Sequence, residues 1–539
     1  MGQMSPRRRL RVLFFAGGPR YYLRQYSSLV AELAGRGHDV RLAFQPSKGE
    51  LPAPAEHLPG VSYGFAPARA ASDGWRSVAW LVRALADLAR YAHPRYAAAP
   101  ELRGRMETKI VGRLVKSDEF EPVARRLALG LARRLVAGPN AELSERVIRL
   151  AARLEDSIPT SRRIDRYIRE QAPDVVLATP VVNRASTQVE FLKSARRVGV
   201  PAATCVASWD NLTNKGLLKF APERVFVWNE VQRREAVELH GIPPERAVAT
   251  GAQLFDPWFE RRPSTTREEF VRRIGLDPAR PYVLFLGSSP FVTNHSDDEV
   301  RFVERWIESL RASGDERLRG LGIAIRPHPV GKGWKHADLT RFENVVIWPL
   351  HSERPIKPED QREFFDSLAH SAAVVGINTT AMIEAAIVGR SVLTVLAPEF
   401  AQESTLHFHY LLEENGGFLH VASSLEEHAR QLADVLDEGA ADAERRRRFV
   451  ESFVRPHGLD RPATPILADA VEELAGVPVQ RHVRPGSLLL RGPLALEAGM
   501  CRLLKARPRL RQGQSLRRAA RRLGARARRR ALSQSRPEP

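Results

Sequence analysis

Short apolar runs that end at glycine or polar loops, each followed by a stretch of helical spacing, recur along most of this 539-residue chain. That alternation restricts the possible folds more than any other feature. Arg11–Ala16 is an apolar run that ends at Gly17-Gly18-Pro19. Tyr22–Gly35 then sets Leu23, Tyr26, Leu29, Val30 and Leu33 at helical spacing and stops at Gly35-Arg36-Gly37, before a second apolar run, Val40–Phe44. Strand, helix and strand within about 35 residues is a βαβ unit, which implies a parallel sheet with a right-handed crossover.

From about Ser72 to Ala172 the strand signals stop. Segments such as Trp75–Tyr91 and Glu121–Leu135 are long, amphipathic and rich in Arg, Ala and Leu, so a helical insertion is expected there. Strand signals return at Val175–Thr179, Ala202–Ser208, Arg224–Trp228 and Ala247–Thr250. A boundary is expected at Gly251–Pro257. Beyond it a second series begins: Tyr282–Gly287, Gly322–Arg326, Val345–Trp348, Ala373–Gly376, Ser391–Val395 and Phe418–Val421. The expected architecture is α/β, with two doubly wound Rossmann-like domains facing each other across a cleft. Residues 1–252 would form the first, with the insertion at about 72–172. Residues 253–478 would form the second, and 479–539 a basic tail, partly helical or disordered. Ligands of such sheets lie beyond the carboxyl ends of the strands.

The formal charge of +20 is uneven. From Arg481 to Pro539 there are 17 Lys and Arg against 2 Asp and Glu, so +15 belongs to the tail and only +5 to the rest. The arginine clusters Arg517-Arg518, Arg521-Arg522 and Arg528–Arg530 lie in a tail without any aromatic residue. Nucleic acid is therefore not the expected partner, since base stacking on aromatic rings is its usual companion. An anionic membrane surface is, because Leu488–Leu490 and Leu494–Leu504 add apolar area beside the charge. A merely solubilising tail is the bland alternative. The two cysteines, Cys205 and Cys501, build neither a disulfide framework nor a metal site. The apolar run after Arg7-Arg8-Arg9 is too short for a signal peptide, and no run is long enough to span a bilayer. A cytoplasmic protein, peripheral on the inner membrane face, is expected.

Four loops at strand ends carry candidate chemistry. Gly287-Ser288-Ser289-Pro290 offers small residues and hydroxyls to an anion, or is a polar turn. Arg326-Pro327-His328-Pro329 pairs a phosphate-binding guanidinium with a histidine on backbone stiffened by prolines; its bland reading is a solvated loop. Asn378-Thr379-Thr380 opens a helix, so the threonines are expected at the N-cap or first turn. Glu384 lies one turn on, on the same face, where it could accept from ribose hydroxyls. Ser208-Trp209-Asp210-Asn211-Leu212-Thr213-Asn214-Lys215-Gly216 holds Asp210, a candidate base for an acceptor hydroxyl, with Trp209, Asn211 and Lys215 beside it. An Asx-type turn is the alternative there. His407-x-His409 is expected to line the cleft rather than bind metal. Gly17-Gly18-Pro19-Arg20 belongs to the first loop at the cleft, and Arg445–Arg448 reads as a solvated helix face.

In order and spacing these elements resemble the GT-B glycosyltransferases. The branch around bacterial CDP-glycerol glycerophosphotransferases and surface-polysaccharide transferases is the nearest, and non-hydrolysing UDP-N-acetylglucosamine 2-epimerases share the layout. Arg326-Pro327-His328-Pro329 is similar to the Arg/His-Pro element of that branch, and Thr379-Thr380 to its Ser-Ser turn. Gly251 to Asp256 resembles its interdomain crossing. Ser208-Trp209-Asp210-Asn211 with Lys215-Gly216 stands where the glycerophosphotransferases carry an aromatic-His-Gly loop, so Asp210 replaces the family histidine. The epimerases' acidic, glycine-rich signature is absent; Gly376-Ile377-Asn378-Thr379-Thr380 stands there. The resemblance covers roughly residues 10–65 and 173–475. It implies a metal-independent transferase without a resident cofactor. A sugar or glycerophosphate-like group would move from a nucleotide-activated donor to a cell-surface glycan or lipid-linked acceptor. Donor contacts would come from Ser288, Ser289, Arg326, Asn378, Thr379, Thr380 and Glu384, with Asp210 and His328 catalytic. The alternatives are a UDP-sugar 2-epimerase and a non-enzymatic protein that binds anionic lipid or nucleic acid.

Overall fold

The computed structural model describes residues 8–45, 58–97, 99–288, 292, 297–329, 333–349, 357–400, 405–437, 440–480 and 484–506. Two parallel sheets organise them. The first holds β1 (Arg11–Ala16), β2 (Asp39–Phe44), β3 (Val61–Phe65), β4 (Val175–Ala178), β5 (Ala202–Cys205), β6 (Arg224–Val227) and β7 (Ala247–Ala249) in the order β3-β2-β1-β4-β5-β6-β7. The second holds β8 (Tyr282–Leu286), β9 (Gly322–Arg326), β10 (Val345–Ile347), β11 (Ala373–Gly376), β12 (Val392–Val395) and β13 (His420–Ala422) in the order β10-β9-β8-β11-β12-β13. Both are doubly wound, and strand order reverses at β1/β4 and at β8/β11. The expected pair of Rossmann-like domains is what the chain forms.

The central strands are continuous apolar runs because helices cover both faces; every residue of β8, β9 and β11 is buried. Register sets the site. Leu286 pairs with Arg326 and Gly376 with Leu286, so three strands end level and deliver their loops side by side. The edge strand β3 was not legible in the sequence. None of its residues is fully buried, and no apolar run marks it.

Five helices fill the insertion: Trp75–Ala92, Pro100–Lys116, Pro122–Ala137, Ala141–Ser157 and Arg162–Gln171. Leu88, Tyr91, Ile110, Leu114 and Leu135 belong to a core of their own. A buried ion cluster ties that core to the first domain. Arg83 grips Glu155 through two nitrogens at 2.8 and 2.7 Å and reaches Glu190 at 2.6 Å. Lys193 reaches Glu155 at 2.8 Å, and Arg69 reaches Glu190 at 2.6 Å. Glu190 and Lys193 lie on the Val189–Val198 helix beside β4.

The second segment returns to the first domain at its end. Helix Ala463–Leu474 packs with Leu10, Val12 and Leu29, and Arg36 bonds Asp469 and Glu472 at 2.6 and 3.0 Å. Asp256, just past the boundary, fastens the return. Its carboxylate accepts from the Ala463 and Thr464 amides and pairs with Arg455 at 2.9 Å. Gly251 has φ +88 and sits against Ala463, where a Cβ would lie 2.5 Å from the alanine methyl, so only glycine fits.

One expectation changes. Arg445–Arg448 is not simply solvated: Arg446 is buried against Asp442 and Ser391, and Arg445 bonds Asp442, His420 and Glu413. In the tail, helix Arg491–Ala506 lays Ala498 and Cys501 onto the insertion. Residues 507–539, with the three arginine clusters, lie outside the described residues.

Candidate active site

The loops from the second domain's strand ends meet the first domain across a cavity of about 230 Å³. Its walls come from both. Leu23, Arg24, Ser27 and Ser28 follow β1; Gly287, Arg326, His328, Thr379, Thr380 and Glu384 come from the other side, with Trp258 and Arg261 near the crossing.

Arg326 ends β9 and is buried, with its guanidinium 4.7 Å from the Phe364 ring. Its Nη1 has no hydrogen-bond partner among the described residues, and its nearest carboxylate contact is a loose 3.7 Å to Glu363. Burial lowers its pKa from the ordinary arginine range, yet a guanidinium remains charged there. A buried, unsatisfied cationic donor facing a cavity is a site waiting for an anion. Glu384 lies deep in the same wall. Burial pushes its carboxyl up, and Arg24, Arg261 and Arg326 pull it back in part. Arg24 and Arg261 were not singled out from the sequence. Arg24 had one signal, its place on the first helix after the Gly17-Gly18 loop.

Gly287 shows why the β8 and β9 loops lie so close. Its amide donates to the Arg326 carbonyl at 2.8 Å, and a Cβ on it would stand 2.5 Å from the His328 nitrogen. The close approach read from these small residues is real, but the approaching partner is the protein's own backbone. Ser288 is a correction. Its amide and hydroxyl both donate to Glu299, at 2.6 and 2.7 Å, which turns it away from the cavity. Ser289 lies outside the described residues.

A second cavity, of about 470 Å³, adjoins the first. Ser208, Trp209, Asp210, Asn214 and Lys215 line it from the first domain, and Asn378, Thr405 and His407 from the second. His328, Thr379 and Thr380 belong to the walls of both cavities. Thr380 occupies the N-cap position of helix Ala381–Ile387 without a side-chain cap bond; its hydroxyl instead accepts from the Trp209 indole at 3.2 Å, across the domains. Asn378 donates to the Thr405 hydroxyl at 2.8 Å.

Asp210 opens the short Asn211–Asn214 helix, 3.3 Å from the Lys215 ammonium. Burial raises its pKa, but Lys215 and His407 outweigh that and hold the carboxyl at about 2. It is therefore ionised throughout the working range. Asn211 is a second correction: it is buried, its Oδ1 accepts from the Ala207 amide, and it stays out of the cavity wall. That bond runs four residues back rather than two on, so it is no Asx-type turn, and the Asn211 Nδ2 donates to Asp210 Oδ1 at 3.2 Å. Asn214 does reach the cavity, where its amide meets His407 Nδ1 at 2.9 Å. Burial holds His407 neutral, with a pKa of about 4.

No family model and no curated protein matches this sequence. Solved structures do. A UDP-GlcNAc 2-epimerase from Neisseria meningitidis bound to UDP-GlcNAc aligns with 86% of this chain and 100% of its own, at 11% identity and a TM-score of 0.44. The calicheamicin glycosyltransferase CalG4 aligns with 87% of this chain and 99% of its own, at 17% identity and 0.44. WaaG, a glycosyltransferase involved in lipopolysaccharide biosynthesis, aligns with 85% and 99%, at 13% identity and 0.42. At these values the two sheets themselves, rather than the likeness, define the fold.

Proposed function

We propose that the protein is a transferase that moves a sugar or glycerophosphate-like group from a nucleotide-activated donor to a hydroxyl acceptor. One observation carries the reading: His328, Thr379 and Thr380 form the seam between an arginine-lined cavity and a cavity holding Asp210. The donor diphosphate would lie on Arg326 and His328, with Glu384 accepting from ribose hydroxyls. The acceptor oxygen bonds to the transferred group as the donor bond to the nucleotide breaks, and the departing phosphate takes up the charge. Arg326 offsets that charge from a position fixed beforehand by burial. Asp210 takes the acceptor's proton. With a pKa of about 2 it is a weak base, so the proton moves late, when the forming bond has made the hydroxyl acidic.

The test is product analysis with a panel of nucleotide-activated donors, with and without sugar, glycan and lipid-linked hydroxyl acceptors. The expected result is acceptor-dependent release of nucleotide. An epimerase would instead return a donor inverted at the sugar's C2 without any acceptor, and that result would overturn the reading.

Peripheral attachment to an anionic membrane belongs to the same proposal. Among the described residues no helix is long and apolar enough to cross a membrane. Helix Arg491–Ala506, however, exposes Leu496, Met500 and Leu503 at i, i+4 and i+7, with Leu488 and Leu489 exposed just before it. The following 507–539 segment carries 12 Arg and one Glu. An apolar stripe leading into a basic segment suits the boundary of an anionic bilayer. Because Ala498 and Cys501 are buried in the insertion, the informative truncation ends at Ala506. That variant, and the full chain with Leu496→Asp and Leu503→Asp, should sediment much less with anionic vesicles. Undiminished sedimentation of both contradicts the attachment.

A further inference from the structure

Four cationic side chains and one carboxylate line the larger cavity. Arg105 and Lys109 come from helix Pro100–Lys116 of the insertion, Arg184 from the loop after β4, and Lys215 and Asp210 from the loop after β5. Asp210 is already engaged with Lys215. The charges acting on Lys109 are all of its own sign: part burial, then Arg184, Arg105 and Lys215, push its ammonium below the ordinary lysine range. Like charges held together this way repel, and an anion between them relieves the repulsion.

The convergence is built by the fold. Asp87, fully buried on helix Trp75–Ala92, accepts from the Ala185 amide at 2.9 Å and from the Leu217 amide at 2.8 Å. One carboxylate thereby fixes both the loop that bears Arg184 and the loop that bears Lys215. Gly216 packs so tightly on Asp87 that a Cβ would lie 2.8 Å from its oxygens. From the same helix Tyr91 donates to the Lys215 carbonyl at 2.7 Å, and Arg90 bonds the Leu212 and Gly216 carbonyls. The insertion thus holds two cation-bearing loops in place and adds two cations of its own.

We propose that this wall is a phosphate subsite that selects an acceptor carrying a phosphate group, and that the helical insertion is the element that builds it. Several convergent cations favour a multiply charged phosphate over a single carboxylate. The role of that phosphate as part of an acceptor rests on the transferase reading; the anion site itself does not.

Calorimetric titration of methyl phosphate into the full chain, the Lys109→Ala/Arg184→Ala variant and Arg326→Ala tests it. Both replaced side chains of the double variant are exposed, so the fold is preserved. The expected result is binding by the full chain, loss of about tenfold or more in the double variant, and little change in Arg326→Ala. Equal affinity in the double variant, loss confined to Arg326→Ala, or no binding by the full chain overturns the proposal. Competition by glucose 6-phosphate assigns the subsite to a soluble or glycan phosphate, and competition by dispersed phosphatidic acid assigns it to a lipid phosphate. Competition by glucuronate alone overturns the choice of phosphate. A full chain that binds methyl phosphate but no nucleoside diphosphate supports the subsite and removes the transferase reading.

Discussion

The Trp209 indole N–H donates to the Thr380 hydroxyl at 3.2 Å, joining a loop of the first domain to the turn of the second where the two cavities meet. The Trp209 ring also stands edge-on to His407, 4.4 Å between centroids. Trp209→Phe keeps that aromatic contact and removes the hydrogen bond. One such bond is worth about 1 kcal/mol, so kcat/KM should fall about fivefold with little change in Tm. Steady-state kinetics beside a thermal melt reads both; a large loss of Tm at unchanged kcat/KM would make the bond merely structural.

Asp210 bears the proposed proton transfer. Asp210→Asn keeps the shape and the neighbours but cannot take a proton. Turnover should fall about a hundredfold or more while nucleotide binding is retained. Wild-type turnover in this variant removes Asp210 from the mechanism.

Gly287 sets the spacing of the β8 and β9 loops. In Gly287→Ala the new methyl meets three backbone atoms, the His328 nitrogen at 2.5 Å and the Arg326 oxygen and Pro327 carbon at 3.1 Å. Backbone does not swing aside as a flexible side chain does, so the loops must separate. A cost of about 1–3 kcal/mol is expected, with weaker nucleotide binding, by urea titration and calorimetry. A fully stable variant with unchanged affinity would show that the spacing does not matter.

The buried Glu155 answers to pH. Burial raises its pKa, but Arg83 and Lys193 overcome this and hold the carboxyl at about 2, below its unfolded value. A depressed carboxylate stabilises the fold fully above its unfolded pKa, and this contribution fades as pH falls toward the folded one. The urea midpoint should therefore drop between about pH 4.5 and 3. Glu155→Gln should be less stable at pH 7, by about 3–5 kcal/mol if Arg83 and Lys193 are left uncompensated, and flatter across that acid range. An acid profile of the same slope in the variant would contradict this role.

The strands of both sheets other than β3, and the insertion, were legible because their signals are local: apolar runs ending at glycine or polar loops, and helical spacing without strands. The strand-end rule then placed Arg326, His328, Thr379, Thr380, Glu384 and Asp210 at one cleft. What could not be read depends on contacts far apart in sequence. Ser288 and Asn211 have the right chemistry at the right strand ends, yet Glu299 takes the amide and hydroxyl of Ser288, and the Asn211 side chain is held by the Ala207 amide and by Asp210 itself. Arg24 and Arg261 join the donor cavity only through the domain pairing. Arg184 and Lys215 share the second cavity because Asp87, remote from both in sequence, holds their two loops side by side. The edge strand β3 carries too little burial to mark itself.

The central claim is that the buried Arg326 guanidinium, whose Nη1 has no hydrogen-bond partner among the described residues, receives the diphosphate of a nucleotide donor. Thermal melts of the full chain and of Arg326→Ala with UDP, CDP, GDP and CMP test it directly, since a ligand that binds the folded state raises Tm by mass action. One nucleoside diphosphate should raise the Tm of the full chain in a concentration-dependent manner, and the shift should be lost in the folded Arg326→Ala variant. No shift with any nucleotide, or the same shift in both proteins, would contradict the claim.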